Sequence, residues 1–193
     1  MFFVLIYSKT LKIVKLRVNY IMLKRLLAIV LISGLFIAAG SGNYDTNAKI
    51  KAVYIYNFTK YIEWPKDYRD QSFVIGVLGD SPLLGELKGM ASTKKVFGQS
   101  IVVKQFGSTA DISKCHILYV SANHNESLNG VIGKVNGYST LLITDKPGLA
   151  LKGSAINFVI RQNRQKFELN ESNAVKYNLK VSNSLEALAI LVN

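Results

Sequence analysis

Two histidines, one cysteine and twelve carboxylates bound the chemistry this chain can attempt. Cys115 and His116 are adjacent, which suggests a nucleophile beside its base. They open the apolar run Cys115-His-Ile-Leu-Tyr-Val-Ser121, however, and this reads as a buried strand. Neighbours on a strand point to opposite faces, so the pair reads as structural. His124 and Glu126 share a polar loop but are too few for a metal site, which needs converging ligands. No serine sits in a nucleophile elbow, and no glycine-rich loop cradles phosphate. Gly76-Val-Leu-Gly79 is only a weak match to such a loop. No catalytic residue, metal ligand or cofactor is assigned.

Two acids stand where a ligand could bind. Asp80 and Asp145 each follow an expected parallel strand, and open α/β sheets bind ligands beyond the carboxyl ends of their strands. The two could line one crevice for a cationic ligand or metal. The competing reading makes each a turn residue bonding its own backbone. Ser81-Pro82 and Lys146-Pro147-Gly148 favour that reading.

Aromatic side chains form the other candidate surface. Tyr54, Phe58, Tyr61 and Trp64 recur along one helix, and Phe158, Arg161 and Phe167 lie on a hairpin. They read either as core plus rim or as a partner or dimer surface, since aromatic and arginine residues concentrate binding energy.

The elements that must carry these residues follow from periodicity. Ile50, Val53, Tyr54, Asn57, Phe58 and Tyr61 recur at helical spacing, predicting a helix over 48–63. It is apolar around most of its circumference and is stopped at Trp64-Pro65. The apolar runs at 73–78 and 115–121 predict strands covered on both faces, and 100–106 and 139–144 are read as two further strands. Helices are expected from Pro82 to about Met90, capped by Ser81, and over 125–135. Residues 155–160 and 165–169 alternate apolar and polar around 161–164, predicting an antiparallel hairpin with one solvated face. Asn170 caps a helix to about Asn178, residues 179–181 are an extended link, and a last helix spans 185–191. The fold class expected is α/β: a mostly parallel three-layer sheet with helices on both faces and a C-terminal antiparallel hairpin.

The N-terminus carries an address. Lys24 and Arg25 precede an uncharged run over 26–40 that ends in Ala38, Ala39 and Gly40. Basic, then apolar, then small is the pattern of a secretory signal. The run is shorter than the ~20 residues of a membrane span. Residues 1–40 are expected to be a signal peptide cleaved between 39 and 42, an uncleaved anchor being the alternative. The long basic stretch before Met22 is explained if translation starts there. Residues 41–47 form a polar leader, and 48–193 a single domain of a size that builds its own core. Six of the 24 Lys and Arg lie before residue 41, where there is no acid, so the remainder is formally +6. Those charges are dispersed, which argues against nucleic-acid binding. Export with one cysteine fits a bacterial periplasm better than a disulfide-stapled scaffold.

Ordered blocks carry a resemblance over about residues 48–191. Lys51-Ala-Val-Tyr-Ile-Tyr-Asn-Phe-Thr-Lys-Tyr-Ile-Glu-Trp-Pro65 resembles the opening motif of the YfiR-like periplasmic proteins. Phe73-Val-Ile-Gly-Val-Leu-Gly79, the Cys115–Ser121 block, Leu142-Ile-Thr-Asp145, Ile156-Asn-Phe158, Lys166-Phe-Glu-Leu-Asn170 and Asn178-Leu-Lys-Val-Ser182 are similar to the blocks that follow. The resemblance implies a non-enzymatic regulator with an α/β fold, and dimers are known among such proteins. The family's namesake represses an inner-membrane diguanylate cyclase by binding its periplasmic sensor region, lowering cyclic di-GMP and biofilm formation. Other members are expected to serve other membrane sensors, such as histidine kinases. The partner implied is therefore an inner-membrane sensor protein, with a small-molecule-binding sensor accessory as the alternative. One departure matters. The namesake has cysteine pairs, whereas this chain has Cys115 alone, so internal disulfide control is not available to it.

Overall fold

The computed structural model describes residues 46–124 and 128–193. The expected signal, the leader through residue 45 and the first three residues of the helix expected from Asn125 lie outside them. The described residues form one compact unit.

Helix α1, Thr46–Tyr61, is the first element among the described residues and runs into a two-residue strand, β1 (Ile62–Glu63). Its buried stripe is Ala48, Ala52, Ile55 and Phe58, continued by Ile62, while Ile50 and Val53 are exposed. Apart from Phe58, the residues whose spacing predicts the helix are thus not the ones that mark its buried face. In a helix apolar all round, pattern alone does not choose the buried face. Here the face carrying the small Ala48 and Ala52 packs inward.

Strand β2 (Phe73–Leu78) leads to helix α2 (Leu83–Ala91), then to the short β3 (Lys95–Val96) and to β4 (Gln99–Phe106). Ser81 holds the start of α2, its Oγ accepting from the Leu83 N–H at 3.2 Å. Strand β5 (Ile117–Val120), helix α3 (Leu128–Val135) and strand β6 (Leu141–Thr144) follow. The hairpin is β7 (Ile156–Arg161) with β8 (Arg164–Leu169). Helix α4 (Glu171–Lys176), strand β9 (Lys180–Val181), helix α5 (Asn183–Glu186) and strand β10 (Ile190–Leu191) complete the fold.

The main sheet has the order β10-β8-β7-β6-β5-β2-β4-β3. Its centre, β4-β2-β5-β6-β7, is wholly parallel, and β3 on β4 and β8 on β7 are antiparallel. Every residue of β5 and β6 is buried, so both faces of the centre are covered, as their unbroken apolar runs require. The β2-α2-β4 and β5-α3-β6 crossovers run in opposite directions, and right-handed connection puts α2 and α3 on opposite faces. The α/β class with helices on both faces is the observed one. A separate pair, β1 with β9, ties the end of α1 to the C-terminal segment. Gly76 makes one close approach work. A Cβ there would lie 2.6 Å from Cε2 of Phe106, whose ring packs over the β2 backbone.

Two expectations fail at the C-terminus. The hairpin lacks a solvated face along its base: Ile156–Val159 and Phe167–Leu169 are buried on both faces, and only its tip is open. The last helix stops at Glu186, and residues 190–191 pair in parallel with β8. An unpaired sheet edge offers a row of backbone partners, and that outweighs the helical preference of a short apolar tail.

Candidate functional site

In the central sheet the chain leaves β2 for β4 on one side and returns to β5 on the other. The topological switch point therefore lies between β2 and β5, and the crevice there is where such sheets receive ligands. A cleft of about 230 Å³ lies at this point. Ser81 and Pro82 line it after β2, Ser121 and Asn123 after β5, and Asp145 after β6. Lys51 and Ala48 of α1 form its roof. A second cleft, of about 390 Å³, shares Lys51 and Asp145 and continues to Phe158, Arg161, Gln165 and Glu168.

Asp145 divides the two clefts. Its Oδ2 pairs with the Lys51 ammonium and accepts from the Tyr119 hydroxyl at 2.8 Å. Both charged side chains are only 16% exposed. Asp145 is thus a long-range anchor rather than a local turn residue. Asp80 is not brought beside it. Its Oδ1 accepts from Gln105 Nε2 of β4 at 3.0 Å, and the neighbouring Ser81 faces the cleft instead. The backbone of Asp80 still helps build the site, because its carbonyl accepts from Ser121 Oγ at 2.6 Å, joining the loops after β2 and β5. Lys146 Nζ donates to the His124 carbonyl at 2.9 Å and joins the β6 loop to them.

A buried polar network at the base of the hairpin borders the larger cleft. Asn157 is fully buried, and its Nδ2 donates to Glu168 Oε2 at 2.9 Å. Its Oδ1 accepts from the Thr144 hydroxyl at 2.8 Å and from the Lys146 N–H at 3.3 Å. Ser154 Oγ lies 2.8 Å from the Thr144 hydroxyl. Arg161 Nη2 donates to the other Glu168 oxygen at 3.3 Å. A buried carboxylate needs this kind of compensation. Gln165 lines the same cleft; its Nε2 donates to the Val159 and Lys166 carbonyls, while its buried Oε1 has no partner among the described residues. Sequence reasoning missed this network, although Asn157 and Glu168 both fall inside the resemblance blocks. An asparagine at the centre of an apolar strand was the available signal, because a buried amide must be satisfied.

Cys115 and His116 lie just before β5, and both ring nitrogens of His116 are taken by backbone groups. Burial pushes the Cys115 thiol up to about 12. His116 Nδ1 accepts from the Val74 N–H at 3.0 Å and its Nε2 donates to the Tyr68 carbonyl at 2.8 Å. Burial holds this imidazole below its ordinary pKa. Trp64 Nε1 donates to the His116 carbonyl at 3.1 Å, and Phe73 packs against the ring at 4.2 Å between centroids. His116 is a fastener between β2, β5 and the segment after α1. Among the described residues no group of three or more His, Cys, Asp or Glu could hold a metal, and no helix is long and apolar enough to cross a membrane.

The expected aromatic surface is largely interior. Phe58, Trp64, Phe158 and Phe167 are buried, with Phe58 5.0 Å edge-on from Phe167 and stacked on Phe158 at 6.2 Å. Phe58, Phe158 and Phe167 cement α1 to the hairpin, and Trp64 packs edge-on against Phe73 of β2 at 5.2 Å, because an aromatic placed between a helix and a sheet gains more from burial than from display. Tyr54 and Tyr61 are half-buried and Arg161 is exposed, so these three alone of the seven reach the surface.

No curated protein matches the chain closely enough to count as a relative. A family profile described as YfiR/HmsC-like matches residues 48–190, spanning α1 to the start of β10 and so including both clefts, the His116 fastener and the hairpin network. The chain belongs to the YfiR/HmsC-like family.

Proposed function

We propose that this protein is a periplasmic regulator that represses a membrane-bound signalling enzyme, a diguanylate cyclase, by binding the enzyme's periplasmic sensor region. The observation that carries the reading is the family match over 48–190. In this reading residues 1–40 are a cleaved export signal and 48–193 a single domain. The protein acts by differential affinity: it can shift the enzyme only as far as it binds the inactive state better than the active one. The test is cellular. Deleting the gene should raise cyclic di-GMP, and restoring it should lower the level again. An unchanged level in both strains would sink the proposal. Envelope cross-linking should then recover the cyclase with the wild-type protein.

A second reading has its own support. The smaller cleft sits at the switch point, and the larger one, which shares its Lys51 and Asp145, is lined by Gln165, whose Oε1 has no partner among the described residues. A small polar ligand bound there would make the regulator a sensor accessory. Such a ligand raises the unfolding temperature by mass action, so a thermal-shift screen that repeats with wild type but not with Asp145→Ala would support it. A screen with no hits would count against it.

A further inference from the structure

The β3–β4 hairpin turns on Phe97 and Gly98, with φ of 48° and 85°. Positive φ at both central positions defines a type I′ turn, for which Asn-Gly is the favoured pair. A bulky side chain in left-handed backbone is strained. Phe97 gains no burial in return. It is 69% exposed, more than any other large apolar side chain among the described residues. A benzyl group held in an unfavourable backbone and shown to solvent serves nothing inside the fold.

Its surroundings are basic. Lys94 and Lys95 precede the tip and are exposed. Lys60, Arg69 and Lys180 border the shallow concavity that Phe97 shares with Tyr61. The carboxylate among them is Glu63, which Arg69 engages at 3.2 Å. Tyr56 braces the hairpin on α1, its hydroxyl donating to the Lys95 carbonyl at 3.4 Å, with Lys60 over its ring.

We propose that the Phe97 tip and the cations around it dock the protein reversibly on an anionic phospholipid surface. The chemistry fits both layers of a bilayer's edge. The ring enters the boundary between headgroups and acyl chains, while long lysine and arginine stems keep their charges at the phosphates. Protein interface cores are depleted in lysine, and four of the five cations here are lysines. A second copy docking this patch on itself about a twofold axis would set like charges against each other. The inference goes beyond the regulatory proposal and does not depend on which enzyme is regulated. It would confine the protein to the surface in which a membrane partner lies.

The test is co-sedimentation with vesicles of phosphatidylglycerol and phosphatidylethanolamine, against phosphatidylcholine vesicles as the baseline. Every variant keeps the same N-terminal residues, whose six Lys and Arg also favour anionic vesicles, so the comparison between variants isolates the tip. Wild type should bind the anionic vesicles above baseline, less so as salt rises. Phe97→Asn removes the ring and puts the favoured residue into the turn, so its unfolding temperature should not fall. It should weaken partitioning about tenfold, the scale for losing one buried aromatic ring. Lys94→Gln with Lys95→Gln should weaken binding and flatten its salt dependence. Binding by Phe97→Asn equal to wild type overturns the proposal. So does wild-type binding no better than baseline: a dimer abolished by Phe97→Asn would then assign the tip to a second copy, and a monomer would assign it to an acidic protein segment.

Discussion

Lys51 and Asp145, 94 residues apart, form an ion pair between α1 and the loop after β6, and the Tyr119 hydroxyl of β5 shares the same carboxylate oxygen. Three elements are joined at one atom, and that atom stands between the two clefts. Removing the carboxylate leaves an ammonium and a hydroxyl in a site that water reaches poorly. Asp145→Ala should cost about 2–3 kcal/mol in urea unfolding. A double-mutant cycle with Lys51→Met should return a coupling of about 1–2 kcal/mol. A local turn role for Asp145 would instead give a coupling near zero.

His116 makes stability depend on pH with a defined sign. Its imidazole is held below the unfolded value by burial. The folded state therefore binds fewer protons than the unfolded state around that value, and stability rises with pH there. The contribution is complete above about pH 6.5, the unfolded pKa. It is lost as pH falls through that value toward the lower folded one. Unfolding by urea at pH 7.5 and pH 5.5 should show a drop in wild type that His116→Gln reduces. The variant itself should be less stable by about 2–3 kcal/mol at pH 7.5, since the Val74 N–H and the Tyr68 carbonyl lose their partner. An equal drop in both proteins would show that His116 is not the group responsible.

What the sequence disclosed and what it hid divide along contact range. Apolar runs make β2 and β5 legible, and Asn170 is legible as a cap because its side chain bonds a backbone only three residues away. The hairpin of β7 and β8 was legible for the same reason. Asp145 was misjudged because its partners lie 94 and 26 residues off. The rings of Phe58, Trp64, Phe158 and Phe167 read equally as core or as surface in the sequence, because residue type does not say which side of an element faces another. The helix expected at the C-terminus gave way to β10, since nothing local reports an open edge on β8.

Cys115 should be chemically silent in the folded protein. Its thiol is pushed up to about 12 and is buried. At pH 8 the thiolate fraction is then roughly one in ten thousand, and the thiolate is the reacting form. Iodoacetamide at pH 8 should label the urea-unfolded chain and leave the native one unlabelled over the same hour, as read by intact mass. Mild oxidant should give no disulfide-linked dimer. Rapid native labelling would mean that the segment leading into β5 opens far more readily than its burial implies.

Gly76 and Phe106 make a final, reciprocal test of the packing. A methyl at Gly76 would stand 2.6 Å from Cε2 of Phe106 and 3.1 Å from Leu118 Cδ1. The Phe106 side chain is itself buried, which limits its room to move aside. Gly76→Ala should therefore destabilise by about 1–3 kcal/mol, the usual cost of overpacking. Phe106→Leu alone should also destabilise, by leaving space over β2. Combined, the added methyl occupies part of the space that the smaller side chain vacates. The double variant should be more stable than the sum of the two losses predicts, by about 1 kcal/mol on the scale of contacting pairs. Strict additivity in chemical denaturation would place the strain of Gly76→Ala in the β2 backbone rather than in its contact with Phe106.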